Sequence, residues 1–175
     1  MYVVSKCLLG VKCKYNGGHN LSAELLEFLR DKKYITVCPE CAGGLAVPRP
    51  PAEIQANGRV LDKNGRDVTH EFNRGAVLSL KSIYRELMLS QSFAEDKCIS
   101  DFIKDGILTD SDGQPVTAVL KAYSPSCGCG YIYDGSFTKK IIEGYGIAAR
   151  LFKQNGIQLM TEMDFANNDF KEKDK

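Results

Sequence analysis

Four short β-branched or apolar runs punctuate the chain: Tyr2-Val3-Val4, Tyr34-Ile35-Thr36-Val37, Val116-Thr117-Ala118-Val119-Leu120 and Ile157-Gln158-Leu159-Met160. Each has the length and composition of a buried strand. Between the first two, Leu21, Leu25, Leu26 and Leu29 mark the buried face of a helix predicted from Leu21 to about Asp31, with Asn20 as its cap. Strand, helix and strand then form a βαβ unit with parallel strands and the usual right-handed crossover. A long helix is predicted from a cap at Thr69, because Phe72, Ala76, Leu80, Ile83 and Leu87 repeat at helical spacing. Another runs from about Gly146 to Gln154 and is stopped by Gly156. The predicted fold is α/β: a single-domain, open, mainly parallel sheet flanked by helices.

The intervening stretches read as turns and small insertions. Glu53 to Ala56 and Arg59 to Asp62 flank Asn57-Gly58, a strong hairpin signal, and Asn64-Gly65 makes a further turn. Ala42 to Pro51, with its glycines and prolines, predicts a stiff extended wall. In Ser90 to Gln114, Phe93, Cys98, Phe102 and Ile103 suggest a short helix with Cys98 in the core, followed by a surface turn at Asp110-Ser111-Asp112-Gly113. Tyr131 to Ser136 reads as a tight turn. One α/β domain is expected over residues 1–166, with a polar, frayed tail at 167–175.

Composition narrows the function. A chain of 175 residues with 43% hydrophobic and 26% charged residues has room for one full core. Its net charge of +1 offers no basic field for long nucleic acid. No run approaches membrane-spanning length, and Met1 to Lys6 does not open a signal peptide, so a cytoplasmic protein without membrane partners is expected. Seven cysteines in such a compartment point to metal or redox chemistry before disulfides.

Cys7, Cys38 and Cys127 each follow a predicted strand, in loops rich in Gly, Pro and Ser. Parallel strands would collect them along one sheet edge, where open α/β folds bind ligands. Three thiolates there suit an iron-sulphur cluster with one iron left open as a Lewis acid. A closed zinc module using Cys38, Cys41, Cys127 and Cys129 is the alternative, since Cys-x-x-Cys opens many four-thiolate sites. A dithiol redox pair at Cys38 and Cys41 is a third reading, set against Ala42-Gly43-Gly44, a poor helix start for such a motif. Glu40, two residues past Cys38, is either a proton shuttle or a surface glutamate; Ser124 and Ser126 are hydrogen-bond donors or turn formers. His19 reads as an ordinary loop histidine, and Arg49 and Arg59 as substrate or surface charges.

Taken together, Cys7-Leu8-Leu9-Gly10, Tyr15-Asn16-Gly17-Gly18, Val37-Cys38-Pro39-Glu40, the run from Gly43 to Ile54 and Ser124-Pro125-Ser126-Cys127-Gly128 resemble the bacterial thiouracil desulfidase family, over roughly Val3 to Glu162. The resemblance implies a 4Fe-4S cluster on Cys7, Cys38 and Cys127, a catalytic carboxylate at Glu40 and a catalytic serine at Ser124. It implies non-redox removal of sulphur from a thiolated pyrimidine, a small nucleobase or nucleoside, with release of sulphide. Asn16 departs from the aspartate of that pattern, Tyr123 from a common arginine, and Ser90 to Gln114 is longer than the usual connection. Cys13, Cys41 and Cys129 are additional thiols, able to bind zinc where the cluster is lost.

Overall fold

A computed structural model describes residues 1–90 and 98–166. Its centre is β1 (Tyr2–Ser5), which pairs in parallel with β2 (Tyr34–Val37) on one side and β7 (Thr117–Leu120) on the other. β10 (Gln158–Thr161) extends the sheet beyond β7, again parallel, giving the order β10-β7-β1-β2. Successive side chains of a strand point to opposite faces. Val3, Ala118 and Leu120 accordingly join a core formed with α3 (Thr69–Leu89) and α4 (Ile147–Gln154). Val4 and Val119 join another with Leu25 and Leu29, at α1 (Ala23–Phe28), and Phe165, in α5 (Met163–Ala166). The sheet is thus an open α/β layer covered on both faces, as the apolar runs predicted.

Several local expectations are corrected. Helix α1 starts at Ala23, with Ser22 Oγ accepting from the Leu25 N–H at 3.2 Å. Asn20 does not cap it, because its N–H goes to the Cys7 carbonyl and its side-chain oxygen accepts from Lys14 Nζ at 2.7 Å. The buried face is Leu25 and Leu29, while Leu21 and Leu26 are 51% and 40% exposed. Thr69 opens α3 but does not cap it. Asp67 Oδ1 accepts its N–H at 2.9 Å, and its own hydroxyl accepts from the Val60 N–H. Phe72, Ala76, Leu80, Ile83 and Leu87 are buried along α3 as predicted.

The hairpin of β3 (Ala52–Ile54) and β4 (Val60–Asp62) forms where Asn57-Gly58 predicted it. In place of the predicted short helix, a 3-10 turn at Ile99–Phe102 leads into β5 (Ile103–Lys104) and β6 (Ile107–Leu108), paired across Asp105-Gly106 with both φ positive. That is the backbone a two-residue hairpin loop demands. Phe102 is buried but Cys98 is exposed, so Cys98 is not a core residue; Phe93 lies outside the described residues. β8 (Tyr131–Tyr133) and β9 (Ile141–Glu143) form a hairpin where only a tight turn was expected. The tail 167–175 lies outside the described residues, among which no helix is long and apolar enough to cross a membrane.

One further difference shapes the site. Cys38 is followed at once by α2 (Pro39–Ala42), with proline in the first helical position. α2 lies directly on α3: a Cβ on Gly75 would sit 1.8 Å from the Pro39 carbonyl oxygen, and one on Gly43 would sit 2.0 Å from that of Glu71. The glycines thus serve backbone-to-backbone contact between helices, which seats Pro39 and Glu40 against the longest helix.

Candidate active site

Leaving β1, the chain crosses α1 to β2, then returns to the opposite side of β1 for β7. The connections diverge between β1 and β7, and the crevice at the carboxyl ends of strands at such a reversal is where open α/β sheets take ligands. A cavity of about 500 Å³ lies there. Cys7 enters it from the 3-10 turn Lys6–Leu9 after β1, Cys38 from the end of β2, and Cys127 from the loop after β7. Cys13 lines it as well; Cys41 and Cys129 do not. The four cysteines of the zinc alternative therefore do not meet in one cavity, and among the described residues no three His, Cys, Asp or Glu side chains are placed to hold a single metal ion.

The Ser124–Cys127 loop is held from within and from outside. Ser124 Oγ accepts from the N–H groups of Ser126 and Cys127 at 3.1 Å each. The first N–H groups of α4 donate to the Pro125 and Ser126 carbonyls at 2.9 Å, satisfying donors that a helix start leaves free. Gly146 permits this approach, since a Cβ there would lie 2.5 Å from the Ser126 carbonyl oxygen.

Glu40 faces this loop from α2. Its Oε2 accepts from Arg49 Nε at 2.9 Å and from Nη2 at 2.7 Å, while its Oε1 lies 3.5 Å from Ser124 Oγ. Arg49 also donates to the carbonyls of Ala46 and Cys13, at 3.0 Å each. Neither residue is a surface charge, with side-chain exposures of 7% for Arg49 and 17% for Glu40. Burial works against the guanidinium's charge, but Glu40 and the nearby thiols outweigh it and raise the Arg49 pKa. Sequence alone leaves Arg49 as a substrate or surface charge. Its one signal is Pro48-Arg49-Pro50, where flanking prolines hold an arginine in a fixed, extended backbone.

Burial pushes the Cys127 thiol up to about 12, although the Ser5 and Ser126 hydroxyls beside it favour the thiolate. The Cys38 thiol is raised by its hydrogen bond to Cys13 and by burial. Cys13 rises to about 11: its bond to Cys38 lowers it, but its bond to Cys7 and burial prevail. Cys41, despite standing in a Cys-x-x-Cys that does open a short helix, is raised to about 11 by burial and by Cys38. A reactive dithiol needs a lowered pKa, which this pair lacks. Cys129 is likewise raised to about 11, by burial and then by Asp164 and Glu162. Ser126 Oγ is fully buried and makes no hydrogen bond of its own. A buried hydroxyl left so, next to a buried thiol, suits a state in which the sulphur is a metal-bound thiolate and accepts from it.

These features define a class: an open α/β protein whose topological switch point holds a thiol-lined pocket beside a carboxylate–guanidinium pair. The chain belongs to the 2-thiouracil desulfurase family, which matches residues 2–93 and 100–164. It is 33% identical over 171 residues to the uncharacterized protein YbbK of Bacillus subtilis strain 168, covering 93% of this chain and 95% of that one. Among solved structures it is similar to the 4Fe-4S-dependent thiouracil desulfidase TudS, with a TM-score of 0.71 and 34% identity over 95% of this chain and 93% of that chain.

Proposed function

We propose that this protein removes sulphur from a thiolated pyrimidine, as free base or nucleoside, without net oxidation or reduction. The observation that carries the reading is that Cys7, Cys38 and Cys127 reach one cavity from three neighbouring parallel strands, beside Glu40 and Ser124. They would hold a 4Fe-4S cluster, as in the relative TudS, and when bound the cluster supplies a Lewis-acidic iron with affinity for a thiocarbonyl sulphur. A cluster, unlike a single ion, would not require the three sulphurs to converge on one point. The unpartnered Ser126 hydroxyl fits that donor set as a partner for the Cys127 sulphur.

The chain's own residues handle water and protons. Water adds to the thiocarbonyl carbon, a C–O bond forms, the C–S bond breaks, and sulphide leaves with water's protons. Arg49 occupies Glu40 Oε2, so Oε1, turned towards Ser124, is the oxygen available to take a proton from that water and return it to the departing sulphur. Ser124 Oγ, fixed by two backbone N–H groups, can give its own proton only to an acceptor in front of it: Glu40 Oε1 or the reacting oxygen.

Anaerobic reconstitution with iron and sulphide tests this. Protein carrying about four irons per chain should release sulphide from 2-thiouracil. Cys7→Ser should lose the iron, whereas Cys41→Ser and Cys129→Ser should keep it. Glu40→Gln should keep the iron and lose about a hundred- to ten-thousand-fold in turnover. Stoichiometric zinc that is insensitive to Cys7→Ser would sink the reading in favour of a closed metal module.

A further inference from the structure

Backbone strain gathers around the cavity. Among the described residues, four that are not glycine have positive φ, and three of them, Tyr123 (φ 61), Phe137 (φ 59) and Lys139 (φ 66), line this one cavity. Bulky side chains are disfavoured in that region and persist there only where the surroundings hold them. The surroundings do so here. Phe137 donates its N–H to Glu53 Oε2 at 2.9 Å, and Gln55 Nε2 donates to the neighbouring Gly135 carbonyl at 3.0 Å. Tyr123 makes a parallel β-bridge with Ile132, and its ring packs against Tyr133 with centroids 6.2 Å apart and planes tilted by 39°.

Tyr123 stands immediately before Ser124, whose hydroxyl lies 3.5 Å from Glu40 Oε1. If this position served only to turn the chain from β7 into the Ser124–Cys127 loop, glycine or asparagine would do so without strain. A tyrosine kept there brings a ring to the cavity wall next to the proposed chemistry. Lys121 Nζ lies 5.8 Å from its centroid, Tyr133 packs beside it, and Phe137 is a further aromatic residue lining the cavity. Such a surface suits a flat π-system and offers nothing comparable to an open-chain thiocarbonyl compound.

We propose that Tyr123, backed by Tyr133, is the platform on which a planar heteroaromatic ring stacks beside Ser124, and so sets the preference for ring-bearing substrates. The reaction served rests on the desulfidase reading; the stacking itself does not. Tyr123 is a specificity-determining residue, and its ring, not its hydroxyl, carries the effect.

The test is equilibrium dialysis of labelled uracil, which has no sulphur to lose, against reconstituted wild type and the variants Tyr123→Phe, Tyr123→Ala and Tyr123→Gly. Tyr123→Phe should bind within about twofold of wild type, and the other two should bind about five- to a hundredfold more weakly. Tyr123→Gly relaxes the backbone while removing the ring, so it serves even if Tyr123→Ala folds poorly. Wild-type affinity in Tyr123→Gly, or no binding of uracil to wild type, overturns the proposal. If wild type binds uracil but releases no sulphide from 2-thiouracil, the desulfidase reading fails and the platform stands; sulphide release with unchanged uracil binding in Tyr123→Gly is the converse.

Discussion

Replacing Arg49 with alanine removes one member of a largely buried ion pair and strands the other. Glu40 Oε2 loses two donors, at 2.9 and 2.7 Å, and the carbonyls of Ala46 and Cys13 each lose one at 3.0 Å. With side-chain exposures of 7% and 17%, water replaces little of this. Removing one partner of such a pair costs about 3–5 kcal/mol; the lower end applies because Glu40 keeps some contact with the cavity. For a chain of this length, about 3 kcal/mol lowers Tm by roughly 10 °C. Glu40→Gln is milder, about 1 kcal/mol, since the amide oxygen still accepts from Arg49. The double variant Arg49→Ala/Glu40→Gln should then cost about 2 kcal/mol less than the sum of the singles, because no charge is left stranded. Urea unfolding of cluster-free protein at fixed pH and salt measures all four species. Single-variant costs that add to within about 0.5 kcal/mol refute the pairing as the source of stability.

Other positions carry predictions of their own. Gly75→Ala gains about 1 kcal/mol of helix propensity in isolation, yet should destabilise the protein by about 2 kcal/mol in urea unfolding, because its Cβ meets the Pro39 carbonyl at 1.8 Å; a stabilised variant would mean that α2 does not lie on α3 as described. In cluster-free protein at pH 8, iodoacetamide should modify exposed Cys98 first and buried Cys127 after it. Peptide mass spectrometry reads the order, and fastest labelling at Cys38 or Cys41 would restore the dithiol reading. The Asp67 carboxyl is lowered to about 2 by the Thr69 hydroxyl and N–H and by Arg59. A depressed carboxyl stabilises the fold above its unfolded value, near 3.8, and loses that contribution as pH falls through about 2. Asp67→Asn should therefore be less stable than wild type at pH 6, with the gap closing between pH 4 and 2 in thermal scans; a gap independent of pH would assign the effect to shape instead of charge.

What could be read in advance follows the range of each interaction. The four parallel strands announce themselves through β-branched runs, and once they are parallel the three cysteines that follow strand ends must share an edge. That inference needs only topology, and the cavity contains all three. Their neighbours Glu40 and Ser124 stayed open on sequence grounds, as proton shuttle or surface glutamate and as donor or turn former, and only the family resemblance gave them a role. Helix starts were less legible, since Asn20 and Thr69 are sound caps by residue type. Lys14 Nζ takes the Asn20 side-chain oxygen and the Val60 N–H the Thr69 hydroxyl, so Ser22 caps α1 instead and no side chain caps α3.

Arg49 lay beyond such reasoning for a related cause. Apart from its flanking prolines, nothing local distinguishes an arginine that pairs with a carboxylate nine residues earlier from one in solvent; the difference is made where α2 and the proline-rich wall meet. Gly43 and Gly75 show the same limit from the opposite side. As sequence, Gly43 belongs to a stiff wall and Gly75 carries no signal of its own; as structure they are the contact that lets α2 approach α3. The proposed chemistry depends on this seating as much as on the thiols. An added methyl at position 75 would leave Cys7 and Cys127 at their strand ends, yet take Oε1 away from Ser124 and disturb Cys38, which stands immediately before α2. Under the proposed function, the packing of α2 on α3 would therefore bear on proton transfer and on the seating of Cys38, while Cys7 and Cys127 are placed by sheet topology.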